Sequence, residues 1–391
     1  MRNLSIVCGS SHKELGAKIA EILGVHTAEC KLGKFSNQES SVEIKHSVRD
    51  KHVYLIQSGC GHVNDNLIEL LILIQACRMG SAKKISVVLP LFPYSRQSDR
   101  LQKKRLMTTT HSNNASTSSV QSPTSLTNGD ATSSKLNGNA HEKLNGLASP
   151  PTNGTSIVSG GRYMFHSTSH DSGYKQWCAR PGTLVARLIQ EAGANHLITM
   201  DLHHPQYQSF FDIPLDQIYA EPCIIRFIRS EISFWRSAIV VSPDAGGAKR
   251  ATSVANQLGL EFALIHREHR DNDSECTGLV GEVTNRPVII IDDLIDTADT
   301  VCMAANILKH HGATRICAIA THGIFSKNAM ENLNNSPIEM IACTNTVPQE
   351  EFRAQCPVLK TIDISGILAE AVRRTFFGES LSHLFIHEKL F

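Results

Sequence analysis

The sequence predicts an α/β protein of two tandem doubly wound domains, and three observations carry that prediction. Strand-like and helix-like stretches alternate along both halves of the 391-residue chain. Several strand candidates are short and fully apolar, Ala238-Ile-Val-Val241 and Val288-Ile-Ile-Ile291 among them, as a parallel sheet covered on both faces requires. A chain of this length with 41% hydrophobic residues can fill two cores of ordinary size.

Taken in order, the first half offers a strand over Leu4 to Cys8, a helix over His12 to Leu23 and a strand over Val53 to Gln57. A helix over Asn66 to Met79 and a strand over Ile85 to Leu89 complete that run. The series resumes with a helix over Thr183 to Ala192, a strand over His196 to Met200, a helix over Pro222 to Ser233 and the strand Ala238 to Val241. Then come a helix over Lys249 to Leu258, strands over Phe262 to Ile265 and Val288 to Ile291, and a helix over Thr300 to His311. Strands over Ile316 to Ala320 and Glu339 to Ala342 and a helix over Ile367 to Arg374 close the chain. Doubly wound sheets bind ligands at the carboxyl ends of their strands, so the sites are expected there.

Between the two runs the composition breaks. Of the 50 residues from His111 to Gly160, 32 are Ser, Thr, Asn, Gly or Pro. Such a stretch buries too little apolar surface to offset its ordering entropy, and residues 106–174 are expected to be a disordered insertion. The whole chain carries almost no net charge, with 38 Lys and Arg against 37 Asp and Glu, so no basic field recruits nucleic acid. The 11 cysteines show no CxxC spacing, which argues against a disulfide framework or a zinc site. No leader pattern and no apolar run of about 18 residues is present, and a cytoplasmic protein without membrane contact is expected.

The richest segment is Val288-Ile-Ile-Ile-Asp292-Asp293-Leu-Ile-Asp296-Thr297-Ala298-Asp299-Thr300. Adjacent carboxylates at a strand tip can hold two vicinal sugar hydroxyls. Loop amides and threonine hydroxyls at the following helix start can cradle a phosphate. An ordinary helix cap would account for Asp299 or Thr300 alone, but not for paired acids after four apolar residues. Ser242-Pro-Asp244-Ala-Gly-Gly-Ala-Lys249 likewise sets small residues between a strand and a helix, without matching GxGxxG or a P-loop.

The first of these segments resembles the phosphoribosyl-diphosphate loop of type I phosphoribosyltransferase folds. Others narrow the resemblance to ribose-phosphate pyrophosphokinases, the PRPP synthetases. They are Phe35-Ser-Asn37-Gln-Glu39, Gln57-Ser-Gly-Cys-Gly61, Phe92-Pro-Tyr-Ser-Arg96-Gln97, Met200-Asp201-Leu-His203, Phe210-Phe-Asp212-Ile-Pro-Leu-Asp216, Ser242 to Arg250 and Thr321-His-Gly-Ile-Phe325. Together they span nearly the whole chain outside the insertion, and the chain looks most like the divergent fungal subunits that carry an inserted region.

The resemblance implies two tandem type I phosphoribosyltransferase-like domains, residues 1–221 and 222–391. It also implies a reaction: diphosphate passes from Mg-ATP to C1 of ribose 5-phosphate, giving PRPP and AMP for nucleotide, histidine and tryptophan biosynthesis. By the same resemblance Phe35, Asn37, Glu39, Arg96 and Gln97 bind ATP, and Asp292, Asp293, Asp296, Thr297, Ala298, Asp299 and Thr300 bind ribose 5-phosphate. His203 and Asp244 would meet Mg²⁺ directly or through water, with Asp201, Asp212 and Asp216 as metal-associated acids. Arg267 and His269 fall on the catalytic loop, and Ser47 and Arg49 on a regulatory phosphate site. Alternatives stand beside several of these. Phe35 alone reads as a core aromatic, a lone Asp-Leu-His as structural, the acids of Phe210 to Asp216 as solvent-facing, and Ser47 and Arg49 as a solvated loop. His204 is a bystander.

Three departures from the family pattern stand out. Active members carry Lys-Glu-Arg where this chain has Arg267-Glu268-His269, which should weaken transition-state stabilisation. Most place glycine where Asp299 stands. A carboxylate about 4 Å from a phosphate charge costs roughly 1 kcal/mol per charge pair in water, or about 4 at an effective dielectric of 20. Finally, the insertion interrupts the basic loop that begins Gln102-Lys-Lys-Arg105 and resumes at Lys175, so it expands a loop of the first domain. The expected protein is a subunit that works in a hetero-oligomer with other PRPP synthetase subunits, its own phosphoryl-transfer centre impaired. The rivals are a regulatory or scaffolding subunit and, less favoured, a phosphoribosyltransferase.

Overall fold

Two parallel sheets organise the chain. In the computed structural model, residues 3–95, 181–269 and 275–386 are described. The expected insertion at 106–174 lies outside these residues, as do Arg96 and Gln97. Among the described residues no helix is long and apolar enough to cross a membrane.

The first sheet has strands β1 (Leu4–Cys8), β4 (His52–Ile56), β5 (Lys84–Leu89), β6 (His196–Met200) and β7 (Leu215–Ile218), side by side in that order and all parallel. Helices α1 (Lys13–Ile22), α2 (Val63–Met79) and α3 (Pro181–Ala192) make crossovers. A separate antiparallel hairpin pairs β2 (Cys30–Lys34) with β3 (Ser40–Ile44). It was not expected, because Cys-Lys-Leu-Gly-Lys has neither β-branched residues nor a clear apolar face.

The second sheet takes β10 (Glu275–Val280), β9 (Glu261–His269), β8 (Ile239–Ser242), β11 (Val288–Ile295), β12 (Ile316–Gly323), β13 (Met340–Thr344) and β14 (Leu359–Ile362) in that order. Its pairings are parallel except at one edge, where β10 returns antiparallel against β9. That antiparallel edge is an addition to the expected doubly wound sheet. The β9 strand also runs past Ile265 to His269, because its partner supplies hydrogen bonds to a segment too polar to read as a buried strand.

The apolar runs alternate between two cores, as the period of a strand dictates. In β11, Ile289 and Ile291 join one cluster while Val288 and Ile290 join another, and all four are fully buried. Each such side chain contributes about 2 kcal/mol by leaving water. The first cluster continues into the other sheet through Ile6, Tyr54, Ile56, Val88 and Ile198. Between the sheets lie α1, α4 (Glu221–Glu231), α5 (Ala248–Leu258) and α9 (Ser365–Phe377), whose Leu15, Ile225, Val254 and Leu368 enter the same cluster. Tyr54, fully buried on β4, shares a 2.9 Å hydrogen bond between its hydroxyl and that of Thr375 on α9. One core thus joins the sheets and fixes the strand tips of one against those of the other.

Candidate active site

The carboxyl ends of β6, β8 and β11 open on a cavity of about 850 Å³. Its walls include His203, Asp244, Lys249, Arg250 and Asp293. A larger cleft of about 960 Å³ beside α4 and β14 contains none of the expected site residues.

The strand β11 runs on past the expected end at Ile291 to Ile295, because β12 continues to pair with it, so the paired acids lie within the strand rather than at its tip, in unlike surroundings. Asp293 is buried, with 10% of its side chain exposed, and His203 Nδ1 lies 2.5 Å from its Oδ2. The Arg250 guanidinium lies 3.4 Å from its Oδ1. Burial alone would raise the Asp293 carboxyl. The His203 hydrogen bond and the Arg250 charge outweigh it and hold the group well below the usual carboxylate range. Asp292 moves the other way: burial first, then the negative charge of Asp293, push it well above the ordinary value. Its Oδ1 accepts the Asp293 amide N–H at 2.8 Å.

Beyond β8 the chain turns through Ser242 to Gly247 into α5. Asp244 Oδ1 accepts the Gly247 amide at 2.9 Å, and the Ser242 hydroxyl donates to the Asp244 carbonyl at 2.7 Å. A Cβ on Gly247 would lie 2.9 Å from Ser242 Oγ and 4.0 Å from Asp292 Oδ1. The glycine therefore lets α5 start directly against the acids of β11, which brings Arg250 to Asp293.

After β11 the loop Asp296 to Ala298 leads into α6 (Asp299–His310), with Ala298 in the left-handed region at φ 65°. The Thr297 hydroxyl donates to Asp299 Oδ2 at 2.7 Å. The Asn332 amide, on α7 (Ala329–Asn334), donates to Asp299 Oδ1 and to the Thr297 carbonyl, both at 3.1 Å. Ser326 holds Asp296 by its side chain and by its amide.

The other expected residues fall in several places. Asp201 lines the cavity, but its carboxylate accepts Thr321 Oγ1 at 2.6 Å and the Ala220 amide at 3.2 Å, which ties β6 to β12. His322 Nε2 lies 3.2 Å from the Asp201 carbonyl, and burial depresses its pKa despite nearby Asp201, leaving it neutral. Asp212 is exposed, its amide bound to Gln190 Oε1 at 2.5 Å, and Asp216 pairs with His196 Nε2 at 2.8 Å. Neither of those two acids lines the cavity. Phe35 is 57% exposed at the tip of the β2–β3 hairpin, which sets aside the reading of it as a core aromatic. Asn37 Oδ1 accepts the Glu39 amide in the same turn at 3.2 Å. Ser47 and Arg49 are exposed between β3 and β4, on either side of buried Val48. Arg267 and His269 occupy β9.

Arg250 and Asn332 were not among the expected site residues. Arg250 had a signal, since it follows Lys249 one turn into a helix that opens on glycines. Asn332 had none, because its contact spans more than thirty residues and depends on the tertiary fold.

No group of three or more His, Cys, Asp or Glu side chains able to hold a metal is found among the described residues. Magnesium bound with a polyphosphate takes only one or two protein carboxylates, the rest being water and phosphate oxygens. Asp244, exposed in the cavity wall near His203, meets that requirement.

Comparison with known proteins gives matches at both ends. Residues 4–114 match the N-terminal domain of ribose phosphate pyrophosphokinase, and residues 274–386 match the phosphoribosyl synthetase-associated domain. The structure of phosphoribosylpyrophosphate synthetase from Mycobacterium smegmatis aligns over 96% of this chain and 99% of its own, at 28% identity and a TM-score of 0.72. A purine phosphoribosyltransferase from Pyrococcus horikoshii aligns over 33% of this chain and 73% of its own, at 18% identity and a TM-score of 0.23. The family models at both ends and one structure aligned along nearly the whole chain are thus those of phosphoribosylpyrophosphate synthetases, to which this chain is similar.

Proposed function

We propose that this chain is a ribose-phosphate diphosphokinase subunit that works in a cytoplasmic hetero-oligomer with other PRPP synthetase subunits. Its two phosphoribosyltransferase-like domains would divide near residue 221. The observation that carries the reading is Asp293 of β11, next to Asp292 in the strand and set by the fold beside His203, Asp244 and Arg250 in one cavity.

In the reaction the C1 hydroxyl oxygen of ribose 5-phosphate forms a bond to the β-phosphorus of ATP. The bond from that phosphorus to the α-bridging oxygen breaks, AMP departs and the hydroxyl proton is lost. Asp293, held ionised by His203 and Arg250, is an acceptor with lone pairs left for a sugar hydroxyl. Asp292, next to it in β11, would take the adjacent hydroxyl. The exposed Phe35 ring offers a stacking face for adenine beside Asn37 and Glu39. Bound Mg²⁺, held by Asp244 with His203 reaching it directly or through water, would neutralise diphosphate charge. Lys249 and Arg250 add fixed positive charge along the same wall.

Arg267, His269 and Asp299 stand where the resemblance implies a lysine, an arginine and a glycine, so turnover by the isolated chain is expected to be low. Restoring Arg267→Lys, His269→Arg and Asp299→Gly together should raise AMP release from ATP and ribose 5-phosphate. An unchanged rate would show that these three positions are not the block.

A further inference from the structure

The loop that the proposed function assigns to ribose 5-phosphate is already engaged with a carboxylate of its own. A hydroxyl carries one proton, and Thr297 directs its proton to Asp299 Oδ2 at 2.7 Å. The donors of Asn332 turn inward as well, to Asp299 Oδ1 and the Thr297 carbonyl. Asp299 is the first residue of a 12-residue helix, where unpaired amides and the helix dipole favour a negative group. Ala298, the preceding cap residue, supplies no side-chain bond. The segment after β12 thus grips the loop twice, through Ser326 at Asp296 and through Asn332 at Asp299.

We propose that Asp299 and Asn332 form a latch: the Asp299 carboxylate takes the Thr297 hydroxyl in place of a sugar phosphate, and Asn332 on α7 holds it there. Ribose 5-phosphate then binds this subunit only when Asn332 lets go, so movement of α7 regulates loading. Asn332 is a positioning residue, acting on the ligand through Asp299. The inference rests on the proposed function of this loop and adds a regulatory contact to it.

Calorimetric titration of ribose 5-phosphate into the full chain tests it, with the wild type, Asp299→Gly, Asn332→Ala and Asn332→Ser compared. ATP affinity is measured alongside. Asp299→Gly removes the carboxylate, and both Asn332 variants leave it held by the Thr297 hydroxyl alone. Asp299→Gly is expected to tighten ribose 5-phosphate binding about tenfold or more, and the Asn332 variants severalfold, with ATP affinity unchanged. Having two substitutions at position 332 guards against one that fails to fold. If the wild type binds ribose 5-phosphate as tightly as every variant, the latch is overturned and the proposed function stands. If only Asp299→Gly tightens binding, the charge of Asp299 acts without Asn332 and the latch is again overturned. If no folded variant binds ribose 5-phosphate, both the latch and the sugar-phosphate reading of the loop fall.

Discussion

Replacing Arg250 by methionine removes the cation facing the buried Asp293 carboxylate while keeping most of the side-chain volume. At 3.4 Å and an effective dielectric of 20, the attraction is about 5 kcal/mol before desolvation. Arg250 keeps 24% of its side chain exposed, and its release from burial offsets part of that figure. His203 remains on the other carboxylate oxygen, so a net loss of about 2 kcal/mol is expected at pH 7. The sign with pH follows from the direction of the shift. A carboxyl depressed in the folded state stabilises above its ordinary value of 3.8, and that contribution fades as pH falls towards the folded pKa. Urea unfolding of wild type and Arg250→Met should therefore show a full gap above about pH 5 that closes on acidification. A gap below about 0.5 kcal/mol at pH 7, or one independent of pH, would refute the ion-pair account of Asp293.

Two further outcomes follow from neighbouring residues. Asp292→Asn removes the acid whose pKa is raised by burial and by Asp293, so the folded chain should gain about 1 kcal/mol at neutral pH, read from the urea midpoint. The same variant should lose ribose 5-phosphate binding, a stability gain paired with a functional loss. Gly59→Ala would set a Cβ 2.7 Å from the Pro93 nitrogen and 2.8 Å from the Leu91 carbonyl oxygen, both backbone atoms that cannot swing aside. A loss of about 2 kcal/mol is expected in thermal or urea unfolding, and a neutral result would mean the turn after β4 relaxes freely.

The parallel sheets were legible because their strands are unbroken apolar runs. Val288 to Ile291 could only be covered on both faces, though the strand carries on through the two acids to Ile295, where pairing with β12 and not apolar pattern extends it. Elements stabilised by partners rather than by their own pattern were not legible. The β2–β3 hairpin, four-residue β7 and the antiparallel β10 each lack a strong alternation, and pairing with a neighbour decides them. The candidate site shows the same division. Asp244, Asp292 and Asp293 announce themselves beside glycines or after an apolar run. Asp212 and Asp216 also read as metal-associated by resemblance, yet one faces solvent and the other pairs with His196. The partnership of Asp299 with Asn332 depends on how α7 docks, which spacing along the chain does not encode.

The most direct test is the ribose 5-phosphate-dependent release of AMP from Mg-ATP, measured for this chain alone and in complex with another PRPP synthetase subunit. Low release by the chain alone is expected, with higher release by the complex that falls when this chain carries Asp244→Ala. Robust release by the chain alone would contradict the impaired-centre reading, and an Asp244→Ala complex as active as the wild-type complex would reduce this subunit to a scaffold.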